Sequence, residues 1–357
     1  MNRRAVIARS ATVAAALLFS TGAYRYNTNS SYSGRMSDHF DGTRFFVPGH
    51  PLEGGIARLL RWRFGETAAS WPAFAPSPFA DVPPQRVGGT GLRVALIGHA
   101  SLLYQVAGLN ILVDPVYSER ASPVSIAGPK RVNPPGIAFD ALPPIDLVVV
   151  SHGHYDHLDT ATLGQIAGRW KPTVIAPLGN DAAIAPAIAS ASAVQTYDWG
   201  QAHDAGNGVT VHFTPSYHWS ARGLLDRRKA LWASFVITTP AGTIFHVADT
   251  GYGDGRFFRD AGKTFGPIRL ATLPIGAYEP RWFMQPQHVN PAEAVKIMTD
   301  CGAASAIGHH WGTFQLTNEA IDQPERDLST ARAAASLADR RFAAFRPGQV
   351  WAGETAA

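Results

Sequence analysis

Three imidazoles and a carboxylate crowd into six residues near the middle of this chain. The run Ser-His-Gly-His-Tyr-Asp-His-Leu-Asp at 151–159 carries His152, His154, Asp156 and His157, and it follows the apolar run Leu-Val-Val-Val at 147–150. Neutral imidazole and carboxylate are good ligands for zinc and similar divalent cations. Side chains of this kind packed so densely at the end of an apolar run are hard to explain as core. Three further features share the pattern. His218 follows the apolar run at 209–214, Asp249 follows the one at 243–247, and the pair His309 and His310 ends the one at 304–307. Separate apolar runs, each ending in a candidate ligand, make a two-metal site the economical reading. Two cations a few ångströms apart hold and deprotonate a bridging water, and the resulting hydroxide attacks an electrophilic phosphorus or carbonyl carbon. Zinc is the first choice, with iron and manganese also compatible with nitrogen and oxygen ligands.

The elements that must position these residues are short apolar runs alternating with helical segments. Strands are predicted over 92–97, 104–106, 111–113, 145–150, 173–176, 209–214, 231–238, 243–247, 304–307 and 349–351, with a turn at 108–110. Asp159 is placed to cap a helix over 160–166. Asn290, Pro291 and Glu293 form a helix start with a cap, a first-turn proline and a returning acid, and that helix runs to about residue 299. One or two helices fall within 318–337. This order predicts mixed sheets covered by helices, an α/β layered fold. His212 and His246 lie inside strands and read as satisfied core histidines. His99 is ambiguous between a structural role and support of the metals. His310 is the better ligand of its pair, leaving His309 a structural or supporting role.

Composition narrows the class. The chain has 357 residues, 46% hydrophobic and 16% charged, ample for a large core. Cys301 is the single cysteine, so an intrachain disulfide and a cysteine-rich zinc knuckle are both excluded. The formal net charge is +4, but Arg3, Arg4 and Arg9 supply three of those charges before any acid appears. The remainder is near neutral and lacks the basic footprint of a nucleic-acid binder. Residues 1–23 combine those arginines with an apolar stretch at 11–19 and small residues at 21–23, the pattern of an export signal or N-terminal anchor. The expected location is exported or membrane-anchored, periplasmic in a bacterium, with the cytoplasm as the alternative. Residues 24–90 form an extension and residues 91–357 the main domain. Within the extension, Ile56, Leu59 and Leu60 share a helical face, with Arg58 and Arg61 away from it and Trp62 nearby. Two readings stand for residues 56–64: a helix packed on the main domain with its arginines exposed, or contact with a membrane surface.

The motif His-x-His-x-Asp-His resembles the signature of the metallo-β-lactamase superfamily. That resemblance implies a four-layer αββα sandwich. It also implies the ligand sets: His152, His154 and His218 on one metal, Asp156, His157 and His310 on the other, with Asp249 bridging. Longer segments resemble the N-acyl-phosphatidylethanolamine-hydrolysing phospholipase D family. They include Gly-His-Ala-Ser at 98–101, Asp-Pro at 114–115, Ser-Glu-Arg-Ala-Ser-Pro at 118–123, Gly-Pro-Lys-Arg at 128–131, Asp-Thr-Gly-Tyr at 249–252 and His-Trp-Gly-Thr-Phe at 310–314. The most specific is Pro-Ile-Gly-Ala-Tyr-Glu-Pro-Arg-Trp-Phe-Met at 274–284, continuing to Gln-His-Val at 287–289. The similarity covers roughly residues 40–353. It implies two zinc ions, a phospholipid substrate, and hydrolysis of its phosphodiester to phosphatidic acid and an N-acylethanolamine. Asp156 and Asp249 would serve catalysis through the metals. His288 would orient the phosphate or protonate the leaving group.

Other readings compete. A lactonase, or a hydrolase of a small ester or β-lactam, uses the same fold. For a β-lactamase the histidine of the Asp-His pair at 156–157 argues against. A nuclease would need the missing basic footprint, and a flavin-linked di-iron oxidoreductase would carry a carboxylate where His154 stands. A non-catalytic zinc-binding protein is disfavoured by intact candidates at every ligand position.

Overall fold

A computed structural model describes residues 28–51, 55–189 and 192–353. The segment 1–23, read as a signal or anchor, lies outside the described residues. The chain first forms α1 (Ile56–Gly65), then β1 (Leu92–Gly98), β2 (Ser101–Val106), β3 (Leu109–Val113) and β4 (Leu147–Val149). Next come α2 (Thr160–Trp170), β5 (Thr173–Pro177), α3 (Asp181–Ile188), β6 (Val194–Tyr197), β7 (Ala202–Gly206) and β8 (Val209–Thr214). The second half adds β9 (Ser234–Thr238), β10 (Thr243–His246), α4 (Arg256–Phe265), β11 (Ile268–Pro274), α5 (Arg281–Met284) and α6 (Pro291–Asp300). It closes with β12 (Ser305–His309), α7 (Gln323–Ala334), β13 (Phe342–Ala344) and β14 (Val350–Ala352).

The described residues form two seven-stranded sheets, in the orders β14-β1-β2-β3-β4-β5-β6 and β13-β12-β11-β10-β9-β8-β7. Both are mixed. In the first sheet, β14 to β3 pair antiparallel and β3 to β6 parallel. In the second, β7 to β10 pair antiparallel and β10 to β13 parallel. The halves share this order although no repeat shows in residue identity. Their facing sides interdigitate through Val94, Tyr104, Ile111, Phe213, Phe235 and Leu270. On the outer side of the first sheet, Leu163 and Ile166 of α2 and Ile184 of α3 pack against Leu103 and Val148. Phe258 of α4, Ile297 of α6 and Leu328 of α7 belong to the cluster that covers the second. This is the expected four-layer αββα arrangement. Each such side chain buried fully stabilises the fold by roughly 1.5–3 kcal/mol.

Local chemistry explains where the elements differ from the sequence reading. The first turn is the two-residue Ala107-Gly108, with φ of 51° and 79°, so Leu109 and Asn110 belong to β3 rather than to a turn. Two successive positive φ values twist a hairpin in the sense its strands require. Residues 231–233, expected in a strand, precede β9 as irregular chain, and a single helix, α7, occupies the region where one or two were expected. His212 is half-buried, 4.7 Å from the Phe265 ring, rather than a core residue. His246 is fully buried but only half satisfied: Nδ1 meets the Tyr104 and Thr272 hydroxyls, and Nε2 has no partner.

Helix α1 inverts the packed-helix expectation. Arg58 donates to the Trp282 carbonyl oxygen at 2.8 Å, the Arg61 guanidinium lies 4.5 Å from the Trp282 ring centre, and Trp62 stacks on Phe283. The arginine-bearing side therefore meets the domain, and Leu59, Leu60 and Phe64 are left exposed.

Candidate metal centre

Each candidate ligand sits just past the end of a strand or on the loop that follows one. The loop after β4 carries His152, His154, Asp156 and His157. The loop after β8 carries His218, that after β10 carries Asp249, and His310 follows β12 directly. The loops are laced to one another. Gly251 donates to the Tyr217 carbonyl oxygen at 2.8 Å, Val289 donates to that of Thr250 at 2.8 Å, and the Tyr217 amide donates to the Thr250 hydroxyl at 2.9 Å. A Cβ on Gly251 would stand 2.5 Å from the Pro286 carbonyl oxygen, so the Asp-Thr-Gly sequence ends in glycine because backbone passes too close for any side chain.

Two ligand clusters result. His152, His154, His218 and Asp249 form one, and His99, Asp156, His157 and His310 the other. In each, the candidate ligand atoms lie within 4.8 Å of one another. His152 Nε2 is 2.8 Å and His218 Nε2 is 3.2 Å from His154 Nδ1. His310 Nε2 is 3.1 Å from His157 Nε2. Ligands about 2.0–2.1 Å from a tetrahedral zinc stand roughly 3.3 Å apart, so these spacings suit edges of a coordination shell. Asp249 joins the clusters. Its Oδ2 is 3.6 Å from His218 Nε2 and 3.3 Å from His157 Nε2, and its Oδ1 is 3.0 Å from His310 Nε2.

Neighbours fix which nitrogen faces inward. Asp114 accepts from His157 Nδ1 at 2.7 Å, leaving Nε2 for the site. The Gln287 carbonyl oxygen accepts from His218 Nδ1 at 3.0 Å, with the same consequence. An imidazole held this way presents a fixed lone pair to a cation. His99 Nε2 lies 2.9 Å from Asp156 Oδ2 and donates to it, because an ionised carboxylate can only accept. His309 points to the other side of β12, donates to the Val247 carbonyl oxygen at 3.1 Å and stacks on His246. His310 thus lies at the clusters and His309 in the sandwich.

The electrostatics also suit cations here. Burial, with His157 and His154 close by, pushes the His152 imidazole well below its usual value, and burial does the same to His218. Both are neutral donors of a lone pair. Burial alone would raise the Asp156 and Asp249 carboxyls, but the facing histidines hold both well below the usual carboxylate range. Those carboxylates in turn push His157 well above its ordinary value and His310 up to about 9, against the effect of burial. The two buried anions thus hold positive charge between them, here as the protons of His157 and His310. Divalent cations fit this donor set of imidazoles and carboxylates.

His288 stands beside the clusters. Its Nδ1 has no partner among the described residues and is 3.9 Å from Asp249 Oδ2, and its ring is 5.1 Å from that of His218. Burial lowers its pKa to about 4. Arg281 positions it, donating to the His288 carbonyl oxygen at 2.9 Å while pairing with Glu293 at 2.7 Å.

Comparison with known proteins agrees with this geometry. The profile of the β-lactamase superfamily domain matches residues 109–311. An N-acyl-phosphatidylethanolamine-hydrolyzing phospholipase D of Caenorhabditis elegans is 35% identical over 280 residues, covering 73% of this chain and 76% of the relative. The chain belongs to the metallo-β-lactamase superfamily, in its N-acyl-phosphatidylethanolamine-hydrolysing phospholipase D-like family. A mitochondrial member of that family from Saccharomyces cerevisiae is 36% identical over 238 residues, 66% of this chain and 50% of the relative. An isothiocyanate hydrolase from Delia radicum gut bacteria shares the fold, with a TM-score of 0.58 at 16% identity over 72% of this chain and 98% of that one. As a member of the metallo-β-lactamase superfamily, the protein is a metal-dependent hydrolase. Among the described residues, no helix is long and apolar enough to cross a membrane.

The sequence reading missed Asp114 and Ser151 as supports of this superfamily site. Asp114 is fully buried at φ 44° and accepts from the Ser151 amide at 2.7 Å and hydroxyl at 2.6 Å as well as from His157. Its place directly after a predicted strand was the available signal.

Proposed function

We propose that the protein is a phospholipase D-type phosphodiesterase acting on N-acyl-phosphatidylethanolamine-like lipids, with two zinc ions held by His152, His154, His218, Asp156, His157 and His310 and shared through Asp249. The observation that carries this reading is the place of His288. The 274–289 run, the most family-specific stretch of the sequence, delivers an unpartnered imidazole nitrogen to the edge of both clusters. When bound, the cation pair would supply a nucleophile from water at neutral pH and polarise the phosphodiester. The chain's own groups do the rest. Asp156 and Asp249 stay ionised and hold positive charge at the centre. The neutral His288 ring donates a hydrogen bond to a phosphate oxygen, and the proton given up by the attacking water passes to the departing oxygen. Water attacks phosphorus and the phosphorus–oxygen bond to ethanolamine breaks, giving phosphatidic acid and an N-acylethanolamine. The exposed Leu59, Leu60 and Phe64 on α1 support contact of residues 56–64 with a membrane surface.

The test is incubation of the metal-loaded protein with N-acyl-phosphatidylethanolamine and mass spectrometry of the products. Phosphatidic acid is expected, and a chelator abolishes its release. His288→Ala should keep its full metal content and lose at least about 100-fold in turnover. Absence of phosphatidic acid from the metal-loaded protein would overturn the substrate and bring lactones forward. Full activity of His288→Ala would remove that residue from the chemistry.

A further inference from the structure

A second cavity lies outside the metal clusters, where the loops after β3 and β8 close on the loop that carries the metal motif. Its volume is about 370 Å³, enough for a phosphate ester headgroup, and none of the cluster residues lines it. Arg120, Arg222, Ser118, Ser122 and Thr160 offer it two guanidinium groups and three hydroxyls. Neither arginine forms an ion pair among the described residues. Arg222 spans the metal loop, donating to the carbonyl oxygens of Gly153 at 3.0 Å and Leu158 at 2.7 Å, with its guanidinium 4.2 Å from the Tyr155 ring centre. Arg120 donates to the Gly128 carbonyl oxygen at 2.6 Å, and its buried Nε has no partner. The carboxylate that also lines the cavity, Asp159, is already engaged. It accepts from the amides of Ser118, Ala161 and Thr162 and from the Thr162 hydroxyl. Carboxylates stand near both arginines, Asp159 and Asp226 near Arg222 and Glu119 near Arg120, but none is within ion-pair distance, and two guanidinium groups with hydroxyls around them suit a tetrahedral oxyanion.

The loops that supply the two arginines favour one carrier for that anion. The loop that supplies Arg120 also exposes Ile126 at 87%, and the loop that supplies Arg222 exposes Leu224 at 99%. Val124 and Leu225 beside them are exposed as well. Apolar tips on the same two loops as the arginines match an amphiphile, which offers phosphate and hydrocarbon together. We propose that this cavity binds the phosphate of a phospholipid at a bilayer surface, with Ile126 and Leu224 seated in the lipid. The lipid is held there and not hydrolysed, so the docking is read without turnover and its failure is separate from failure of the hydrolytic reading.

The test is co-sedimentation of the full chain with vesicles of phosphatidylcholine alone and of phosphatidylcholine containing phosphatidic acid. Binding should gain from phosphatidic acid. Arg120→Gln should reduce that gain about fivefold, the effect of one cation at an anionic surface. Leu224→Asp should weaken binding to both vesicles, and both variants should keep the wild-type metal content and melting temperature. Millimolar inorganic phosphate should leave the bound protein on the vesicles. An unchanged gain in Arg120→Gln, or wild-type binding by Leu224→Asp, would overturn the proposal. Release by inorganic phosphate would also overturn it, by assigning the pocket to the free ion.

Discussion

At the scale of single residues, the site depends on groups that never face the metals' side. Asp114 is the clearest case. Its carboxylate accepts from the Nδ1–H of His157 and from the amide and hydroxyl of Ser151, and so fixes which imidazole nitrogen is available inside. Asp114→Asn keeps the volume but turns a donor toward the His157 N–H. The expected loss is about 10–100-fold in affinity for one of the two metals, read by titration against a competing chelator. Unchanged affinity at both positions would show that His157 needs no such partner. Backbone conformation tells the same story. Asp114, His99 and His310 take φ of 44°, 53° and 66°, a region that non-glycine residues seldom adopt and that the surrounding hydrogen bonds must maintain.

At the scale of elements, α6 shows how local sequence fixes a functional loop. Asn290 accepts from the Glu293 amide at 2.9 Å, and Glu293 accepts from the Asn290 amide at 3.1 Å, a reciprocal cap that the sequence announced. Glu293 also pairs with Arg281, which holds the His288 carbonyl oxygen, so the cap and the candidate catalytic loop are one unit. Asn290→Ala should cost about 1 kcal/mol in urea denaturation. A stability equal to wild type would mean that tertiary contacts alone set this helix start. Helix α1 is the opposite case. Its periodicity was readable, but which face the domain covers was not, because Trp282 and Phe283, more than 200 residues away, choose the arginine side.

At the scale of the whole molecule, the clusters are built from both halves of the sandwich. His152, His154 and His157 come from the first sheet, whereas His218, Asp249 and His310 come from the second. A cation in either cluster therefore ties the two sheets together. Adding metal to chelator-stripped protein should raise the melting temperature, with about 2.7 kcal/mol gained per site at a hundredfold excess over the dissociation constant. A calorimetric transition that ignores metal would refute binding by the native state.

The sequence by itself determined the layered α/β class, the metal motif, the spread of further ligands over separate strand ends, and the cap of α6. These are properties of neighbours in the chain, where period and spacing carry the information. It held the signal for the β7–β8 hairpin too, since Asn207-Gly208 takes φ of 53° and 74°. Only the tertiary structure decided that Asp114 and Gln287 orient the imidazoles, and that Arg120 and Arg222 meet across a cavity. The reason is physical: these are contacts between loops dozens to hundreds of residues apart, and the close packing of two sheets, not any local preference, brings them within a few ångströms.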